Sequence, residues 1–198
     1  MAGIFFMASA ALKKWQVERS RSLDEIESTH QHIGGTGRGR RFATQQVNRA
    51  YAMLLSSEFQ AFCRDLHTEC LLHIAGNAKP DPMKSILETE FRLHRKLDQG
   101  NPNPGNIGSD FNRLGLDLWA ELKKRYVSNT TRHDCLTQLN NWRNAIAHND
   151  FTDPKLAGYT QLQLRDVQRW RNACNRLAAE MDIVLANHLN LITGMAPW

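Results

Sequence analysis

Apolar residues recur three and four positions apart along most of the chain, the spacing of the buried face of an α-helix. The clearest run lies in 42–75, where Val47, Tyr51 and Leu54 begin a stripe that continues to Leu71. No segment alternates apolar and polar residues convincingly, and no Asn-Gly or Asp-Gly pair marks a hairpin. The pattern predicts an all-α helical bundle.

Glycine, proline and short polar residues divide this pattern into separate helices. Pro82 suits the first turn of a helix, and Ser109 or Asp110 is expected to cap the helix that follows. Gly76 is expected to close the long second helix. The predicted helices span about 9–33, 42–75, 81–99, 109–126, 132–148 and 160–190.

The length of 198 residues favours one domain over two. Between 34 and 41 the chain carries four glycines and three arginines, a composition that disfavours helix. We therefore expect a single helical domain, 1–198, with three parts. These are an N-terminal helix (1–33), a basic glycine-rich loop (34–41) and a helical bundle (42–190).

Composition narrows the class of protein. Hydrophobic residues make up 41% and charged residues 23%, which excludes a largely disordered chain and a coiled-coil rod. No stretch of 18 apolar residues is present, so no membrane partner is expected. The formal charge is +5, and arginine outnumbers lysine by 17 to 8. The planar guanidinium of arginine can bind a phosphate with two hydrogen bonds, so this excess of positive charge mildly favours a polyanionic partner.

The four cysteines form no Cys-x-x-Cys pair, so we expect reduced thiols in a cytoplasmic protein. The first twelve residues are apolar, but Lys13 and Lys14 follow this run, whereas a signal peptide carries its charges first. We therefore expect Met7 to be the natural start, with a signal peptide as the alternative.

The segment 139–150 is the richest in polar chemistry. At 100° per residue, one face of its helix is apolar and must pack into the bundle. Arg143 lies at the edge of that face, where its stem packs and its guanidinium reaches outward. Asn144 and His148, four apart, are neighbours on the polar side. The apolar face carries Cys135, Leu139, Trp142 and Ile146, and the polar side carries Asn140, Asn141, Asn144 and His148.

The string Arg-Asn-Ala-Ile-Ala-His at 143–148, at the end of a helix in an all-α chain, resembles the signature of the HEPN superfamily. In that signature an Arg is followed after four to six residues by His, often with a polar residue directly after the Arg. The segment 54–62 is similar to part of the ribonuclease-L-type (RiboL-PSP) subgroup, with Glu58 in the region where some members carry an acid. The resemblance implies metal-independent RNA cleavage by a homodimer.

Residue chemistry agrees with that implication. RNA cleavage without a metal needs a base for the ribose 2′-OH and an acid for the leaving oxygen, and histidine suits both tasks. A guanidinium suits the charge of the transition state. The expected catalytic residues are His148 as acid/base, Arg143 as the transition-state clamp and Asn144 as an orienting partner. No cofactor and no metal are expected.

Two other interpretations of these residues stay open. His148 at a helix C-terminus could simply stabilise the helix dipole. A HEPN-type fold could also serve as a non-catalytic RNA- or protein-binding module, because fold does not guarantee activity. The resemblance also implies a setting in prokaryotic defence or toxin–antitoxin systems, with an antitoxin or regulatory protein as a further partner.

Outside this segment two features could carry a site. Arg38, Arg40 and Arg41 could contact an RNA backbone, although a solvated linker is the simpler interpretation. Cys63, His67 and Cys70 share one helix face and could hold zinc, but buried thiols in a core are commoner, and we expect packing.

Overall fold

The structure is a computed structural model that describes residues 7–34 and 41–198. The predicted all-α class is confirmed, because every regular element in these two ranges is helical. The α-helices are α1 (Ala10–Lys14), α2 (Ser20–Gly34), α3 (Arg41–Gly76), α4 (Pro82–Arg92), α5 (Lys96–Gln99), α6 (Pro104–Asn112), α7 (Leu118–Arg125), α8 (Ser128–His148) and α9 (Leu164–Thr193). No helix in the two ranges is long and apolar enough to cross a membrane.

The core forms around α3, which packs against α1, α2, α4, α8 and α9. Its stripe at three- and four-residue spacing buries Tyr51, Phe59 and Phe62 completely. Trp15 packs edge-to-face against Phe59 and at a tilt against Phe62, with ring centroids 5.6 and 5.7 Å apart. Trp170 of α9 is buried on the same core.

The N-terminal helix forms as predicted, with one local irregularity. Ser9 caps α1 by accepting a hydrogen bond from the N–H of Leu12. A π-helical turn, Trp15–Arg19, joins α1 to α2 without a break. This unit packs on α3, and α1 also touches α9.

The predicted third helix, 81–99, is wrong, because the chain breaks it into α4 and α5. His94 has a left-handed backbone, with φ of 60°, which a continuous helix does not allow. The buried carboxylate of Asp110 then accepts hydrogen bonds from the N–H groups of Lys96 and Leu97, at 2.8 and 2.9 Å. An acid from another element therefore starts α5.

The predicted fourth helix, 109–126, is wrong for a similar reason. It begins earlier, where Asn103 caps α6 and Pro104 occupies its first turn. It then ends before Gly115, whose φ is +80°, and restarts as α7 with Asp117 as the cap. Both expected caps, Ser109 and Asp110, lie inside α6.

The helix that carries most of segment 139–150 and the helix that follows it form close to their predicted positions. α8 begins at Ser128, four residues earlier than expected, and ends at His148. α9 begins at Leu164 behind a capping box of Gln163 and Asp166, and it ends at Thr193 before Gly194.

Candidate active site

The C-terminal half of α8 presents the motif residues because the opposite face of the helix is anchored in the core. Leu139, Trp142 and Ala145 are buried, whereas Arg143 and Asn144 are half-buried and His148 is exposed. Asn149 then adopts a left-handed backbone, with φ of 51°, and ends the helix. The N–H of Asp150 bonds the carbonyl of Ala145 at 2.9 Å, which fixes the position of the last turn.

Arg143 and Asn144 interact directly. An Nη1 hydrogen of Arg143 is donated to Oδ1 of Asn144 at 3.2 Å. Within the residues that the structure describes, Arg143 has no ion pair with a carboxylate. A neutral amide therefore orients this guanidinium and leaves its charge uncompensated.

The same amide oxygen is held from a second direction by residues 100–106, here called the asparagine loop, which join α5 to α6 and include the first turn of α6. Asn101 donates its Nδ2 to Oδ1 of Asn144 at 2.8 Å. Asn103 donates in turn to Oδ1 of Asn101 at 2.7 Å, and Asn106 donates to the carbonyl of Asn101. A chain of amides thus connects the start of α6 to Arg143.

Asn140 is not the solvent-facing residue that the helical pattern indicated. It is only 2% exposed, and its Nδ2 donates to the carbonyl of Pro102 at 3.0 Å and to that of Leu136 at 2.9 Å. Asn140 therefore anchors the asparagine loop on α8. Its position one turn before Asn144 explains why both amides reach the same loop.

Gln60 of α3 holds the other end of this loop. Its Nε2 donates to the carbonyls of Leu97 and Gly100, both at 2.6 Å. Glu58, in contrast, is paired with Arg19 of the N-terminal unit at 2.6 Å. In the segment that resembles the ribonuclease-L-type subgroup, it is therefore Gln60 and not Glu58 that contacts the asparagine loop.

The imidazole of His148 has no hydrogen-bond partner within 7–34 and 41–198. Asp150, two residues on, is exposed, and its Oδ1 accepts the N–H and the hydroxyl of Thr152. These hydrogen bonds, and more weakly the charge of His148, lower the pKa of Asp150. Asp150 therefore stays ionised beside the helix end.

The other candidates lie apart from this arrangement or outside the described residues. Arg38 and Arg40 fall outside the described ranges, and Arg41 begins α3. Cys63, His67 and Cys70 are buried in the core, and burial raises the pKa of both thiols, which opposes the thiolate form that zinc requires.

Sequence reasoning missed Asn101, Asn103 and Gln60 as supports of the site. Nothing in the Asn-Pro-Asn-Pro-Gly-Asn string at 101–106 indicates a contact with Asn144, which lies 43 residues after Asn101. The signal that pointed towards it was the excess of asparagine in both segments. Side-chain amides pair readily because each offers donors and an acceptor.

A comparison with protein families identifies the architecture independently. The RiboL-PSP-HEPN family model matches residues 18–187. This range contains α2 to α8 in full and all but the last residues of α9, and it includes the string at 143–148. No curated protein and no solved structure matches significantly. Because the match covers most of the sequence, the chain belongs to the RiboL-PSP-HEPN family, within the HEPN superfamily.

Proposed function

We propose that the protein is a metal-independent endoribonuclease, with Arg143, Asn144 and His148 as its catalytic residues. Membership of a HEPN family indicates a ribonuclease or RNA-binding type of function. The observation that carries the finer proposal is the uncompensated guanidinium of Arg143, oriented by Asn144 one turn before the exposed His148. A solvated helix face does not need this support.

The chemistry assigns each group one task. A base removes the proton of the ribose 2′-OH, and O2′ attacks the adjacent phosphorus. The P–O5′ bond breaks as an acid protonates O5′, which leaves a 2′,3′-cyclic phosphate and a 5′-OH. His148 serves as base or acid, and Arg143 stabilises the negative phosphate oxygens of the transition state. Asn144 keeps the guanidinium in place.

The two proton transfers are the reason for including a homodimer in the proposal. The motif of one chain supplies one histidine, and a two-fold axis would supply a second one from an identical copy. His148 is exposed at the end of α8, so a second copy could approach it. The second copy would also supply the hydrogen-bond partner that His148 lacks within the described residues.

One observation favours the alternative of a non-catalytic RNA- or protein-binding module. A histidine that transfers protons is normally oriented by a third group, and no described residue orients His148. In this alternative Arg143 binds a phosphate or a carboxylate and no bond is cleaved. The setting in defence or toxin–antitoxin systems, the antitoxin partner and the cytoplasmic location stay predictions.

The proposal is tested by incubating RNA with the purified protein in EDTA and identifying the new ends. Cleavage that leaves 2′,3′-cyclic phosphate and 5′-OH ends, and that Arg143→Ala abolishes, supports the endoribonuclease. Arg132→Ala is the matched control, because Arg132 lies on α8 eleven residues earlier and contacts Asn129. Cleavage that requires a divalent metal, or that survives Arg143→Ala, contradicts the proposal.

A further inference from the structure

A cleft of about 580 Å³ opens between α8, the loop 154–163 and the start of α9. This volume is within the range of small-molecule sites. The floor is aromatic and apolar, formed by the largely buried Trp142, Trp170 and Leu156. The rim is polar, and Arg143 does not line it.

Three cations face this cleft: Lys155 of the loop, and Arg165 and Arg169 one turn apart on α9. None of the three forms an ion pair with any carboxylate of the described chain. The single acid in the lining, Asp166, accepts the N–H of Gln163 in the capping box of α9. The cleft therefore carries uncompensated positive charge, which selects an anion.

The position of Arg169 is fixed from the opposite wall. Its Nη2 donates to Oε1 of Gln138 on α8 at 2.8 Å, and Nε1 of Trp170 donates to the same oxygen at 3.3 Å. Within the ranges described, the Nε2 of Gln138 has no partner, so a donor remains for a ligand. An amide N–H of this kind can bind the edge of a heterocycle while the neighbouring cations bind a phosphate, so the pair suits a ligand that carries both groups.

Tyr159 supplies an aromatic face at the rim. Its side chain is 69% exposed, and it follows two residues with left-handed backbones, Ala157 and Gly158. This turn places Tyr159 in the lining of the cleft, to which Trp142 also belongs. Flat aromatic rings bind nucleobases of any sequence by stacking.

We propose that this cleft binds a nucleotide, with its phosphate on Arg165 and Arg169 and its base against Tyr159. The inference rests on the proposed function in taking RNA as the source of that nucleotide. Trp142 directly precedes Arg143, and Gln138 lies about 7.5 Å before it along the helix axis. At 100° per residue, Gln138 and Trp142 project from a different face of α8 than Asn144 and His148. A strand held in the cleft therefore reaches the motif by passing around the end of α8, and the cleft is a subsite for a nucleotide near the cleaved bond.

The test is binding of a 2′-O-methyl oligoribonucleotide, which cannot be cleaved, measured in EDTA by fluorescence polarisation. Arg165→Ala/Arg169→Ala is expected to weaken binding by about tenfold or more and to lower the slope of log K against log salt by about one. Tyr159→Ala is expected to weaken binding by about fivefold or more. Arg176→Ala is the matched control, because Arg176 is exposed on α9 and outside the cleft, and it should leave binding unchanged.

Competition with AMP, adenosine and an acidic peptide identifies the ligand class and its source. Displacement by AMP but not by the peptide supports a nucleotide site filled by RNA. AMP that binds while the oligonucleotide does not supports the same site with a free nucleotide as ligand. Equal binding by wild type and the double variant, or equal displacement by the peptide, overturns the inference.

The outcomes separate this inference from the proposed function. If His148→Ala abolishes cleavage while the double variant still binds RNA as wild type does, only the cleft assignment fails. If the double variant loses binding and neither wild type nor any variant cleaves RNA, the proposed endoribonuclease function fails and the nucleotide site stands.

Discussion

Asn144 shows what a single neutral side chain contributes next to a cation. Its Oδ1 accepts from Arg143 and from Asn101, so it orients the guanidinium without cancelling its charge. A carboxylate at this position would hold Arg143 more tightly, but would form an ion pair with it. Position 144 therefore requires a hydrogen-bond acceptor that carries no charge.

Asn144→Asp tests this requirement. The new carboxylate would neutralise Arg143, so cleavage should fall by about tenfold or more, and the salt dependence of RNA binding should weaken. Asn144→Ala keeps the charge of Arg143, so RNA binding should fall less than in the aspartate variant. Cleavage rates and binding isotherms for both variants provide the measurement. An aspartate variant as active as wild type would contradict the role given to Asn144.

His67 is a second residue whose surroundings decide its charge. It is fully buried beside Phe111, and neither ring nitrogen makes a hydrogen bond. Burial, together with the positive charge of Arg95, lowers the pKa of His67 to about 4. The unfolded imidazole titrates near its ordinary 6.5.

This difference predicts a loss of stability in acid. Between pH 6.5 and about 4 the unfolded chain takes up a proton that the folded chain does not, so the free energy of unfolding falls as pH falls. The loss is about 3 kcal/mol at most. Urea unfolding across this range should show a smaller decrease for His67→Leu than for wild type and for His32→Leu, whose parent residue is exposed. An equal decrease in all three proteins would refute the assignment.

At the scale of elements, the short helices α5 and α6 and the asparagine loop between them act as one support for α8. Gln60 fixes the end of α5, Asn140 fixes the loop at Pro102, and Asp110 joins α6 to α5. Because these segments are short and irregular, side-chain hydrogen bonds rather than helix propensity determine their positions.

Asp110→Ala should therefore lower the free energy of unfolding much more than the removal of an exposed helix cap does. It leaves the N–H groups of Lys96 and Leu97 without partners, a loss of about 3 kcal/mol. Asp110→Asn, which keeps one acceptor, should lose about half as much. Asp117→Ala, at the exposed cap of α7, should cost about 1 kcal/mol. Equal midpoints of urea unfolding for the two alanine variants would contradict this account.

At the scale of the whole molecule, Arg171 of α9 connects the N-terminal unit to the bundle. Its guanidinium donates to Asp24 and Glu27 of α2, to Tyr51 of α3 and to the carbonyl of Ser20. Arg171 is therefore a largely buried connector and not part of a solvated helix face, because its side chain is only 14% exposed.

Arg171→Met should destabilise the whole fold, because it removes these charge-assisted hydrogen bonds and leaves Glu27 half-buried with fewer partners. The expected loss is about 2 kcal/mol. Arg176→Met, on the exposed side of the same helix, should change stability by less than about 0.5 kcal/mol. Thermal unfolding followed by circular dichroism compares the two variants, and indistinguishable transitions would count against the connection.

The fold was predictable where apolar spacing alone determines structure. α3 and the end of α8 were predicted closely, because their buried stripes are long and regular. The breaks at His94 and Gly115 were missed, since they depend on contacts such as that of Asp110 with α5, which periodicity does not encode. Arg143, Asn144 and His148 could be selected from one short string, but the loop that supports Asn144 could not.

The single-turnover rate of RNA cleavage in EDTA, compared between wild type and His148→Ala, tests whether the end of α8 is a nuclease site. Binding of the 2′-O-methyl analogue is measured in parallel, with His32→Ala as the control. We expect His148→Ala to lower the rate by about a hundredfold or more, at unchanged binding and folding. Equal rates for His148→Ala and wild type would contradict it and leave the binding module as the function of this helix end.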